Sequence, residues 1–149
     1  MSFKEDLYAY CHVLVDERIK RAHQLIEEAQ IAANSESKSS VGDKYETGRA
    51  MMMLEREKAE SQLQEALKLK KVLTQINPGK TAKQVMLGSL IITSMGSYYL
   101  SVSLGKVTVC DQDVFVLSPV SPIGNLLMGK REGDNVSFNS RQIQIREIK

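Results

Sequence analysis

The 149-residue chain has no tryptophan and only eight aromatic rings, five Tyr and three Phe. A ligand site walled mainly by stacked rings is therefore not expected. Its two cysteines, Cys11 and Cys110, stand far apart and neither belongs to a Cys-x-x-Cys pair. One bridge could join them, but reduced thiols are the expectation for a cytoplasmic chain. The two histidines, His12 and His23, lack a second cluster of ligands, so a zinc site held by this chain alone is not expected. There is no apolar run of about 18 residues, which excludes a membrane-spanning helix. The opening residues, MSFKEDLYAYCHVLVDERIK, place acids where a signal peptide needs bases, so export is not expected either. A net charge of +2 is too small to attract nucleic acid by bulk electrostatics.

What is present falls into two unlike parts, divided at Asn77-Pro78-Gly79, a strong local breaker. Residues 1–78 hold 12 Lys and Arg against 13 Asp and Glu, with two Gly and one Pro. Residues 79–149 hold 8 against 5, with seven Gly and two Pro. The first part is rich in Ala, Leu, Glu, Gln and Lys, which lose least on entering a helix. The second is rich in Val, Ile, Ser and Thr between turn residues, which reads as β-structure. The expected division is a helical arm over 1–77 and a sheet domain over 78–149.

In the arm, apolar or small positions recur at Tyr8, His12, Val15, Ile19, Ala22, Ile26, Ala29 and Ala33. The alternating spacing of four and three is a coiled-coil seam, with His12 its one polar member. A polar stretch from Asn34 to Gly42 is expected to break the helix, placing a tip at about 34–46. Periodicity resumes through Met52, Ala59, Leu63, Ala66, Leu73 and Ile76, with Arg56 and Lys70 on the same stripe. Two helices joined by a short break should fold back antiparallel. About 30 residues at ~1.5 Å rise give a rod of roughly 45 Å. The adjacent Met51, Met52 and Met53 cannot share one face, so core filling with incidental exposure is expected of them.

At the tip, Asp43 and Glu46 are three apart and face one side of a helix. They could serve as a capping box at the positive helix end. They could also be delivered as two oxygen donors into another molecule. Two carboxylates do not fill the six positions of Mg²⁺, so a partner would have to supply the rest.

In the second part, apolar runs within 84–93, an alternating stretch at 98–104 and short stretches at 107–109, 114–117 and 136–138 read as strands. The last strand, over 142–148, puts Ile143 and Ile145 on one face and Gln142, Gln144 and Arg146 on the other. Ser121 then Pro122 is a good N-cap and first-turn pair for a short helix closing near Gly129. The economical solution is an α+β domain, an antiparallel sheet of four to six strands with one short helix packed on it.

Ser121-Pro122-Ile123-Gly124-Asn125-Leu126-Leu127-Met128-Gly129-Lys130, followed by Glu132-Gly133-Asp134-Asn135-Val136, resembles the C-terminal signature of the Gre family of bacterial transcript-cleavage factors. That signature reads approximately Ser-Pro-Ile-Gly-x-Ala-Leu-Leu-Gly-Lys-x-x-Gly-Asp-x-Val. The resemblance implies an N-terminal antiparallel coiled coil and a small FKBP-like domain. It also implies docking at the secondary channel of RNA polymerase, with Ser121, Pro122, Ile123, Gly124, Asn125 and Lys130 as the polymerase-binding residues. The rod would enter the channel, and Asp43 and Glu46 would help hold a second Mg²⁺ against the 3′ end of backtracked RNA, touching the nascent RNA only indirectly. The metal would be shared with the polymerase; no cofactor is bound by the chain alone, and it is not an enzyme in its own right. The resemblance further implies a cytoplasmic monomer that avoids membranes.

The family's tip, roughly Gly-Asp-Leu-x-Glu-Asn-Ala-Glu-Tyr, aligns with Gly42-Asp43-Lys44-Tyr45-Glu46-Thr47-Gly48-Arg49-Ala50. Both acids are kept, while Lys44, Thr47, Gly48, Arg49 and Ala50 depart. A Gre-like protein that occupies the channel without stimulating cleavage is thus an alternative, and a coiled-coil adaptor is another. An FKBP-like domain also raises prolyl isomerase activity, which is not expected with only Tyr98, Tyr99, Phe115 and Phe138 available.

Overall fold

The computed structural model describes residues 2–39 and 42–149, with side chains described at all of these except 36–39 and 42–46. Two long helices come first, α1 (Phe3–Ser39) and α2 (Gly42–Thr74). They are followed by β1 (Leu90–Thr93), β2 (Gly96–Leu100), β3 (Gly105–Val109), β4 (Gln112–Leu117), α3 (Pro122–Leu127), β5 (Asn135–Phe138) and β6 (Arg141–Ile148). The α+β class read from the sequence is the class observed.

By its contacts the chain forms two compact units. One comprises Val13–Lys70, and the other joins Met1–His12 to Lys71–Lys149. The Asn77-Pro78-Gly79 break therefore lies inside the second of these.

In the Val13–Lys70 unit the two helices run antiparallel. Asp16 pairs with Lys70 at 2.8 Å, Gln30 with Arg56, and the Ala33 carbonyl with Arg49 at 3.4 Å. The two polar residues on the α2 stripe thus each reach a partner on α1. The buried seam is almost all alanine: Ala22, Ala29, Ala33, Ala59 and Ala66, with Val15. Small side chains let two helix backbones approach closely, which compensates for the little apolar area each one buries. The helix does not break at Asn34 as the sequence suggests, because α1 continues to Ser39. Serine costs a helix only a few tenths of a kcal/mol, ~0.5 relative to alanine. Gln30 also donates to the Asn34 side chain one turn on, at 3.1 Å.

In the other unit a six-stranded sheet has the order β3-β4-β2-β1-β6-β5. It is mixed, not wholly antiparallel as expected, since β2 and β4 are parallel neighbours. Residues 101–104 carry the chain past one strand position, so that β3 takes the edge and β4 returns between β3 and β2. The crossing is tied down by Ser101 N–H to the Leu117 carbonyl at 2.9 Å and Leu104 N–H to the Val116 carbonyl at 3.2 Å. The turn between β3 and β4 is Cys110-Asp111, both with positive φ, and Gln112 and Asp113 begin β4. Two residues of that hand match the twist of a tight hairpin.

One face of the sheet carries Ile91, Tyr98, Leu100, Val136, Ile143 and Ile145, packed with Val85 and with Leu127 of α3. Ile143 and Ile145 are buried while Gln142, Gln144 and Arg146 are exposed, as their alternation requires. The other face presents Leu90, Tyr99, Val107, Val114 and Val116, all buried. The start of α1 belongs to this unit. Leu7 and Cys11 are its fully buried positions, whereas the expected seam residues Tyr8 and His12 are only half-buried. Tyr8 spends its hydroxyl on the Leu73 carbonyl at 2.6 Å and sets its ring edge-on to His12, 4.7 Å between centroids. Lys4 is buried and donates to the Lys80 carbonyl at 2.9 Å.

Candidate functional site

The acids Asp43 and Glu46 lie in the first two turns of α2, and their side chains are outside the described residues. So are those of Lys44 and Tyr45. Among the described residues, no three His, Cys, Asp or Glu side chains gather to hold a metal ion. Of the residues that depart from the family pattern, Arg49 crosses to the Ala33 carbonyl on α1.

The 121–136 stretch is built around one tight turn. Ser121 caps α3 in extended backbone, φ −68° and ψ 159°, and accepts the Gly124 N–H at 3.1 Å. Its hydroxyl donates to the Ser118 carbonyl at 2.6 Å. Pro122 fills the first helical position, where a missing N–H costs nothing. Gly124 is pressed against the preceding loop, and Leu127 is fully buried in the core. Beyond the helix, Gly129 N–H donates to the Val85 carbonyl, and Val85 N–H to the Lys130 carbonyl, both at 2.8 Å. Gly133 has φ +90°, which a side chain resists, and its N–H donates to the Ile145 carbonyl at 2.7 Å. The Asp134 carboxylate accepts the Arg131 N–H at 2.8 Å and closes that turn.

Sorted by contact, the six residues named from the sequence separate into two groups. Ser121, Ile123 and Gly124 are engaged with the fold. Pro122, Asn125 and Lys130 are exposed. Beside them Val120 is 89% exposed and Met128 is also exposed, so the outer surface around α3 is mainly apolar, with Asn125 and Lys130 as polar members.

A cavity of about 350 Å³ adjoins this surface, lined by Met95, Tyr98, Ile123, Phe138, Asn139, Arg141 and Ile143. Tyr98 and Phe138 are two of the four rings of the domain. Phe115 stacks on Tyr98 with centroids 5.8 Å apart, while Tyr99 faces the opposite side of the sheet. Burial raises the Tyr98 phenol above its ordinary pKa. Arg141 is the one charged residue in the lining. Met95, Asn139 and Arg141 escaped the sequence reading because they sit in or beside turns that only the sheet order brings to one end. The alternation of β6 could have indicated Ile143.

On the other face of the sheet, Cys11, Tyr99 and Ser101 form a buried polar group. Among the described residues the Tyr99 hydroxyl has no hydrogen-bond partner. Burial pushes the Cys11 thiol up to about 12, with the Ser101 hydroxyl partly offsetting it. Both cysteines are free, Cys11 buried and Cys110 exposed.

No helix among the described residues is long and apolar enough to cross a membrane. No family model matches the chain, and no curated protein matches it. Among solved structures it is similar to the crystal structure of GreA factor homolog 1 (Gfh1) of Thermus thermophilus. The match has 20% sequence identity and a TM-score of 0.36, and covers 91% of this chain and 92% of that one.

Proposed function

We propose that the protein is an accessory factor of RNA polymerase, acting on stalled elongation complexes. The observation that carries the reading is the 121–136 stretch. It resembles the Gre signature, and its distinctive residues build one α3 turn that leaves Pro122, Asn125 and Lys130 outward. An antiparallel helical pair joined to a small sheet domain supports the same reading. In it the domain around α3 docks at the secondary channel and the helical pair brings Asp43 and Glu46 to the active centre.

There Asp43 and Glu46 would contribute carboxylate oxygens toward a second Mg²⁺ shared with the polymerase. Such an ion supplies charge neutralisation and an acidified water when bound. The chain's own part is to place two anions beside the reacting end and to exclude bulk water by filling the channel. Occupation of the channel without cleavage is the second reading. It is favoured by Lys44, which would oppose cation binding, and by Arg49 where the family has Glu.

Reconstituted backtracked complexes test both. Cleavage that rises with the protein and is lost in Asp43→Ala and Glu46→Ala supports the metal role. Cleavage unaffected by those changes removes it. Blocked nucleotide addition without RNA cleavage selects the second reading. Failure to bind core polymerase leaves a coiled-coil adaptor.

A further inference from the structure

The two sides of the α1–α2 seam within Val13–Lys70 are unlike. On one side Ile19, Ile26 and Leu63 are half-buried, and the Asp16–Lys70 pair and the Gln30–Arg56–Glu60 group close over the seam. The other side is open. Two adjoining hollows of about 420 Å³ each run along it, sharing Lys58 and Gln62. Their walls include Leu25 and Met52 in one and Leu69 in the other, above the seam alanines.

The charges on the open side follow an order. Along α1 it presents Arg18 and Arg21, then Glu28. Along α2 it presents Glu55, Lys58 and Glu65, with Lys68 at the rim 3.3 Å from Glu65. Arg18, Arg21 and Lys58 make no ion pair among the described residues. Reversing a second copy about a point level with Leu25 and Gln62 sets Arg21 of one copy against Glu28 of the other. The same reversal sets Lys58 against Glu65 and Glu55 against Lys68. In these three registers no like charges meet. A pattern complementary to its own reversal is what a two-fold interface requires, because the same patch must serve both partners.

We infer that the open side of the helical pair seats the same side of a second copy of this chain, forming an antiparallel four-helix bundle centred near Leu25. Burial of Leu25, Leu69 and Met52 supplies the apolar part, and the charge order sets direction and register. Self-association of this kind does not depend on polymerase binding and is measured without it.

Sedimentation of the full chain from about 1 µM to about 1 mM tests it, since a weak bundle dissociates within that range. The expected result is a monomer–dimer equilibrium that weakens with salt. Arg21→Glu should raise the dissociation constant about tenfold or more, and Arg21→Glu with Glu28→Arg should restore it. Helicity by circular dichroism confirms that each variant is folded. Leu25→Cys in a Cys110→Ser background should oxidise to a covalent dimer, since residues near a two-fold axis meet their own copies. A chain that stays monomeric throughout overturns the inference. So does a dimer indifferent to Arg21→Glu, or one that Glu28→Arg fails to restore.

Discussion

A methyl group added to Gly124 would sit 2.1 Å from the carbonyl oxygen of Ser118. That oxygen already receives the Ser121 hydroxyl at 2.6 Å and the Ser121 N–H at 3.0 Å. The obstacle is backbone, and the turn holding it is pinned at both ends. Gly124→Ala should therefore destabilise the protein by about 1–3 kcal/mol, as overpacking of a rigid site does. Urea unfolding followed by far-UV circular dichroism measures the loss. A neutral result would mean that the loop before α3 yields freely.

Stability and docking should separate around α3. Ser121→Ala removes the cap and should cost about 1 kcal/mol. Asn125→Ala and Lys130→Ala alter exposed side chains and should change stability by less than about 0.5 kcal/mol. If the polymerase reading holds, these two changes weaken binding to core polymerase in a titration while the melting temperature stays put. Equal binding by both variants would move the docking surface away from this side of α3.

Alkaline pH should unfold the protein through its buried acids. Cys11 is fully buried and its thiol is pushed from 9.0 up to about 12, while Tyr99 is raised in the same direction by burial. A raised native pKa gives stability that is complete below the unfolded value. Stability should then fall between about pH 9 and 12, as the unfolded chain loses protons that the native chain retains. Denaturant midpoints taken at steps of pH read the slope, and Cys11→Ala should flatten it. In the same protein a thiol reagent should modify Cys110 quickly and Cys11 only on unfolding. Rapid reaction of both thiols would contradict the packing of α1 against Tyr99.

The alanine seam should resist enlargement. Ala66 is buried between α1 and α2, and Ala66→Leu forces the volume of three extra carbons into the seam. The expected cost is about 1–3 kcal/mol, seen as a lower melting temperature at 222 nm. Lys70→Met removes a half-exposed ion pair to Asp16 and should cost less than about 1 kcal/mol. A larger effect at Lys70 than at Ala66 would show that charge, not close packing, holds the helices together.

Local chemistry alone made much of this chain legible. Ser121 before Pro122 announced α3, because capping is a property of adjacent residues. The alternation in 142–148 assigned Ile143 and Ile145 inward, since side chains on a strand point alternately to its two faces. The coiled-coil period located Ala22, Ala29, Ala59 and Ala66 in the seam, because an apolar stripe has nowhere else to be buried. Polarity misleads at Asn34, where a serine-rich polar stretch suggests a break that α1 passes through. A helix tolerates serine when its flanks are already held.

Sequence by itself thus determined the two kinds of structure, the short capped helix and the candidate acids Asp43 and Glu46. Tertiary structure decided what depends on residues far apart in the chain. It slipped β4 between β2 and β3, and it buried Cys11 against Tyr99 in place of the neighbouring His12. It gathered Met95, Phe138 and Arg141 around one cavity, and it left one side of the helical seam open while closing the other. None of these follows from spacing, because each is set by which distant surfaces compete for the same burial.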